Sequence, residues 1–157
     1  MKEIQLTQNK VTIVDDEDYE RLNQFKWYAY KDGHTFYVGR SVIINSKQTT
    51  ILMHREIMVA SKGIPVDHIN SNGLDNQRKN LRLCTHQQNG YNRMHPQKNN
   101  KLGVKGVSCH KKSRKFRSYI KLNGKKIFLG SYNVLGDADS AYRKAEEKYF
   151  GEFARAV

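Results

Sequence analysis

The stretch that most constrains this chain is VDHINSNGLDNQRKNLRLCTHQQNGYNR, residues 66–93. It has a short apolar strand ending at Asp67-His68 and a second short strand at LRLC. Between them lies a loop rich in Asn, Gly and Asp, the residue types that make turns by bonding their own backbone. A helix is expected to start near Thr85 and to carry Asn89. The expectation for residues 61–93 is therefore a compact polar unit of strand, loop, strand and helix. A chain of 157 residues buries a limited share of its surface, and modules of this size often rely on a ligand or partner for part of their stability.

The flanking regions read as α+β. In residues 1–60, DDEDYERLNQF has acidic residues at its start and apolar ones at Tyr19, Leu22 and Phe25, a short helix pattern. WYAY and TFYVG flank Asp32-Gly33, a turn signal between β-prone runs, and TTILMHREIMVA reads as a strand passing into a helix. RMHPQKNNK has one Pro and no periodicity, so residues 94–102 are expected to be a linker. Residues 103–157 read as three strands, KGVSCH, KFRSYIKL and KKIFLGSY, with Asn123-Gly124 as a two-residue hairpin turn. Alternation puts Phe116, Ser118 and Ile120 on one face and Arg117, Tyr119 and Lys121 on the other. A closing helix, with Ala138, Ala141, Tyr142, Ala145 and Tyr149 at helical spacing and Gly151 as its stop, is expected to cover the apolar face.

Charge separates these regions. The formal net charge is +13, yet residues 1–60 hold eight basic and eight acidic side chains, so the excess lies entirely beyond them. Between Asp75 and Asp137 there is no acidic residue against 15 basic ones. A merely solvated surface mixes both signs, so a polyanion partner is expected. No apolar run is long enough to cross a bilayer, and the start MKEIQLTQNK has no apolar secretory core. Cys84 and Cys109 are isolated, which suits free thiols in a reducing cytoplasm.

Phosphodiester hydrolysis needs a base for water, a Lewis acid at phosphate and charge stabilisation for the leaving oxygen. A His beside a hard-oxygen ligand supplies the first two from one strand end. Residues 66–93, with DHIN, then NLR and a final Asn, resemble the HNH nucleases in the variant common among phage-type homing and free-standing endonucleases. The resemblance implies a ββα-metal fold with His68 as general base. It also implies that Asp67 and Asn89 hold one divalent metal and that Asn80 holds the loop and orients the base. With Asn rather than His at the final position, Mg²⁺ or Mn²⁺ suits the site better than zinc. Arg82 and Arg93 are expected to clamp phosphate. His54 is read as a packed histidine and His86 as a surface one.

Residues 103–156 resemble the plant ethylene-response-factor type of DNA-binding domain, through Gly106-Val107, Phe116, Ile120, Leu129-Gly130 and Ala141-Tyr142. That resemblance implies a sheet laid in the major groove of double-stranded DNA, with Lys105, Ser108, His110, Arg117, Tyr119, Lys121, Lys126 and Phe128 toward it. Phe128 stands where Trp is usual, and Ser108 and His110 where Arg is usual, so docking carries over but sequence preference does not. The expected activity is a metal-dependent DNA endonuclease, a monomer on DNA with a dimer as the alternative. A catalytically silent DNA-binding regulator built on the same scaffold is the competing expectation.

Overall fold

The computed structural model describes residues 1–92 and 100–154, and within them the chain is α+β. It divides into two compact units, Met1–Asn89 and Gly90–Val157.

In the first unit β1 (Lys2–Gln5) and β2 (Val11–Val14) form an antiparallel hairpin. The helix α1 (Asp16–Asn23) follows, with Asp16, Glu17 and Asp18 in its first turn, where carboxylates favour the exposed N–H groups and the helix dipole. Next come β3 (Tyr28–Asp32), β4 (Thr35–Ile44) and β5 (Lys47–Leu52), an antiparallel meander in the order β3-β4-β5. The β4–β5 turn takes positive φ at both Asn45 and Ser46, the twist that a two-residue hairpin needs. The one-and-a-half-turn α2 (Met53–Ile57) leads to β6 (Val66–His68), which pairs antiparallel with β7 (Leu81–Leu83), and α3 (His86–Tyr91) follows. Thr85 opens α3 reciprocally: its hydroxyl accepts from the Gln88 N–H at 3.2 Å, and the Gln88 side chain accepts from the Thr85 N–H at 2.8 Å.

One core serves the whole unit. Ile4, Val14, Leu22, Trp27, Val38, Met53 and Ile57 pack with Val66 and Leu81. Residues 1–60 and the strand-loop-strand segment, which the sequence reading parted at residue 60, both contribute to the same apolar cluster. The division falls at Asn89/Gly90 rather than in residues 94–102, most of which lie outside the described residues.

The second unit is an antiparallel sheet in the order β10-β9-β8, made of β8 (Val107–Cys109), β9 (Phe116–Leu122) and β10 (Lys125–Tyr132). Asn123 and Gly124 both have positive φ, giving the hairpin turn expected from the dipeptide. Ser118 and Ile120 are buried on one face, against α4 (Leu135–Phe150). The helix buries Ala138, Tyr142, Ala145 and Phe150 and ends at Gly151 with φ 53°. Tyr149, expected on the buried stripe, stays exposed; Phe150 takes that place because its ring stacks on Tyr91 with centroids 3.7 Å apart. Cys84 is a buried free thiol and Cys109 an exposed one. No helix among the described residues is long and apolar enough to cross a membrane.

Candidate functional site

His68 closes strand β6 and is buried, although it is an ionisable side chain. Its Nε2 lies 3.2 Å from the Oδ1 of Asn76, which is fully buried. Asn76 in turn donates from Nδ2 to Thr12 Oγ1 at 2.8 Å and to the Gly73 carbonyl at 3.4 Å. Its own N–H donates to the Ile13 carbonyl at 2.9 Å, so the loop before β7 is tied to β2. Asn80 does a different job. Its Oδ1 accepts from the Asn70 N–H at 3.0 Å and its Nδ2 donates to the Asp75 carbonyl at 2.8 Å, closing the loop across five to ten residues. The sequence reading gave Asn80 the tasks of holding the loop and orienting the base; its two side-chain bonds here span the loop, and Asn76 is a side chain bonded to the imidazole.

Asp67 is also buried, and it pairs with Arg82 directly across β6 and β7. The guanidinium donates to Asp67 Oδ2 from Nε at 2.9 Å and Nη2 at 2.7 Å, a charge-assisted contact of the strong kind. Arg82, expected to clamp phosphate, is bonded to this carboxylate. Arg93 lies outside the described residues.

Asn89, exposed on α3, lines a cleft of about 320 Å³ together with Tyr30, Asp32, Tyr37, His54 and His86. Among the described residues no three His, Cys, Asp or Glu side chains cluster as metal ligands.

His54 is the site residue that sequence reasoning undervalued. It is packed, as expected, but its ring meets His68 edge-on at 5.0 Å, and Tyr37 stands 5.8 Å from both imidazoles. Its Nδ1 is sealed from solvent with no hydrogen-bond partner. Burial, reinforced by the charges of His68 and Arg55, pushes its pKa down to about 3. Burial also lowers the pKa of His68, against the Asn76 hydrogen bond and the Asp67 and Asp75 carboxylates that favour its cation. Both imidazoles are therefore neutral at physiological pH, and a base must be neutral to accept a proton. The one available signal for His54 was a histidine embedded in an otherwise apolar strand-to-helix run.

In the second unit, register pairs bring the expected surface residues together. Ser108 faces Arg117, Tyr119 faces Phe128 and Lys121 faces Lys126. All six share the sheet face away from α4. The Lys126 ammonium sits 3.9 Å over the Tyr119 ring, and the Tyr119 and Phe128 rings are 5.2 Å apart. Phe128 is 55 % exposed. His110, just past β8, has its Nδ1 2.9 Å from the Ser113 hydroxyl. The Lys105 ammonium donates to Glu146 Oε1 at 2.7 Å and to the Tyr91 carbonyl at 2.6 Å, which ties it to α4.

Comparison with known proteins bears on these residues. The family model described as HNH endonuclease matches residues 52–91, from the end of β5 through α3. An uncharacterised HNH endonuclease of Acanthamoeba polyphaga mimivirus is 30 % identical over 135 residues, which span 85 % of this chain and 67 % of that protein. Protein 3.8 of Escherichia phage T7 is 35 % identical over 94 residues, 60 % of this chain and 76 % of its own length. No solved structure matches the chain.

Proposed function

This chain belongs to the HNH endonuclease family, and from that premise we propose that it hydrolyses phosphodiester bonds in double-stranded DNA with the aid of one divalent cation. The observation that carries the reading is His68: a buried, neutral imidazole at a strand end, held by a buried amide and adjacent in sequence to a buried carboxylate. Buried ionisable groups are costly unless paired or hydrogen-bonded, as Asp67 and His68 are here, and such groups concentrate at functional sites.

In this reading His68 takes the proton of the attacking water. Asp67 and Asn89 hold the cation, Mg²⁺ or Mn²⁺, which when bound supplies Lewis-acid stabilisation of the charge on the phosphate and the departing oxygen. A donor set of one carboxylate and one amide oxygen, completed by waters and phosphate, suits such a hard cation and lacks the thiolate and imidazole donors of a closed zinc site. Arg82 fixes the carboxylate of Asp67. The exposed face of Arg117, Tyr119, Lys121, Lys126 and Phe128 grips the duplex, its cations on phosphate and its rings against sugar or base edges. Grip and chemistry are then separate properties.

The test is conversion of supercoiled plasmid to open-circle or linear DNA in Mg²⁺, Mn²⁺ or EDTA, with His68→Ala beside the wild type. Cleavage that needs metal and disappears in His68→Ala, with DNA binding retained, is the expected result. If His68→Ala lost binding as severely as cleavage, the assignment of His68 to chemistry would be wrong. If the wild type bound DNA but cut none of a broad panel, the DNA-binding regulator would replace the nuclease.

A further inference from the structure

The hydrogen bonds behind His68 leave little choice about where protons sit. The Thr12 hydroxyl donates to the Leu74 carbonyl at 2.8 Å, which leaves its oxygen as the acceptor for Asn76 Nδ2 at 2.8 Å. The second Nδ2 proton points to the Gly73 carbonyl at 3.4 Å. Flipping the Asn76 amide would set its oxygen against that carbonyl and against a hydroxyl whose proton is already committed. The amide orientation is thus dictated by donors and acceptors around it rather than chosen for convenience. Asn76 Oδ1 must then face His68, and an amide oxygen can only accept. The bond at 3.2 Å therefore requires a proton on His68 Nε2.

We infer that Thr12 and Asn76 are positioning residues that hold His68 in its Nε2–H tautomer, which makes Nδ1 the basic nitrogen. Neither touches substrate; they act through the imidazole. Thr12 and Asn76 are fully buried and stand 64 residues apart, so no local motif links them. The hairpin of β1 and β2 thereby acquires a part in catalysis that its neutral charge and its distance from the strand-loop-strand segment conceal. This inference rests on the reading of His68 as the general base, but the tautomer it assigns can be observed without any activity.

The experiment uses the full chain labelled with ¹⁵N in its histidines, with the His68 resonances identified by their loss in His68→Ala. At neutral pH, two- and three-bond ¹H–¹⁵N correlations should report Nε2 protonated and Nδ1 bare. In Thr12→Val, a near-isosteric change, Asn76 loses the acceptor that orients it. The His68 tautomer should then become mixed, and the cleavage rate at saturating DNA should fall about 10²-fold, the lower range of what a positioned base contributes. The KM should hardly move, and Thr12→Ser should restore both tautomer and rate. A wild-type His68 protonated on Nδ1 would overturn the inference, and that spectrum needs no variant to fold. So would a Thr12→Val protein with unchanged tautomer and rate. If His68→Ala cut DNA as fast as the wild type, the reading of His68 as the general base would fail while the spectrum still decided the tautomer.

Discussion

His54 offers a quantitative handle on the first unit. With its pKa held at about 3 in the folded chain by burial and near 6.5 when unfolded, the unfolded state binds a proton that the folded state refuses. The group is a depressed histidine, so its contribution to stability is fully present above pH 6.5 and is lost as pH falls toward 3. Each pH unit in that window removes about 1.4 kcal/mol. Between pH 7.5 and 4.5 the loss from this one side chain comes to about 3 kcal/mol. His68 is depressed in the same sense and adds to it. The reporter is built in: Trp27 is the single tryptophan of the chain, buried in the core of this unit with its indole N–H on the Leu22 carbonyl at 2.8 Å. Urea titrations followed by Trp27 fluorescence at pH 7.5, 6.5, 5.5 and 4.5 should show the wild-type midpoint falling steeply with acidity. In His54→Leu, close in volume and unable to protonate, the slope should be shallower by one proton's worth. The difference at pH 4.5 corresponds to roughly 1–2 M urea for a slope typical of a small domain. Parallel stability curves for the two proteins across that window would refute the argument, because they would mean that His54 protonates without opposing the fold.

Three further outcomes are expected. Lys121→Ala and Lys126→Ala should each weaken binding to any duplex and lower the slope of log K against log salt by about 0.9, the value of one phosphate contact; anisotropy titrations in increasing KCl measure it, and an unchanged slope would remove that face from the DNA. Asp18→Asn should destabilise the first unit by about 1.5–3 kcal/mol, since its buried carboxylate accepts from Arg78 at 2.7 and 2.9 Å and from Arg21 at 2.7 Å; Trp27 fluorescence in urea reads it out. Gly106→Ala should destabilise the second unit by more than about 1 kcal/mol, because φ is +71° and a methyl there would drive into the Tyr142 ring; circular dichroism melts of the full chain report the loss.

What could be read from sequence was what local chemistry dictates. Asn123-Gly124 specifies a turn whatever surrounds it, and alternation along β9 separates Ile120 from Tyr119 without reference to the rest of the chain. The residues that local pattern misplaced are those whose role is set by a distant partner. Tyr149 and Phe150 lie seven and eight positions beyond Tyr142, and both fit a helical stripe; stacking on Tyr91 selects Phe150. Lys105 looks like any other residue of a basic stretch until Glu146, 41 positions away, accepts its proton. The Arg82–Asp67 pair is invisible locally, because it is antiparallel pairing of two three-residue strands that sets the two opposite each other. Asn76 sits in a loop already crowded with asparagines, where every Asn is explained by turns; only the strand carrying Thr12 distinguishes it.

That same distance explains why residues 1–60 accompany the strand-loop-strand segment. Val66 and Leu81 are the segment's contribution to a core cluster otherwise built by β1, β2, α1, α2, β4 and Trp27, so the segment cannot enclose an apolar interior alone. Its loop is held locally by short side-chain bonds, such as Asn70 to Asp75 at 2.8 Å and the Asn72 N–H to Asn70 at 2.9 Å. Side-chain bonds at exposed loops are each worth little, about 1 kcal/mol net. The backbone bonds from Ile13 to Leu74 at 3.0 Å and from Asn76 to Ile13 at 2.9 Å convert that loop into an extension of the β1–β2 hairpin. A base that must present one particular nitrogen to water needs its ring fixed within a fraction of an ångström. Here that fixity is supplied by a neutral, well-packed strand, which leaves the surplus positive charge of the chain to residues that have no part in the packing around His68.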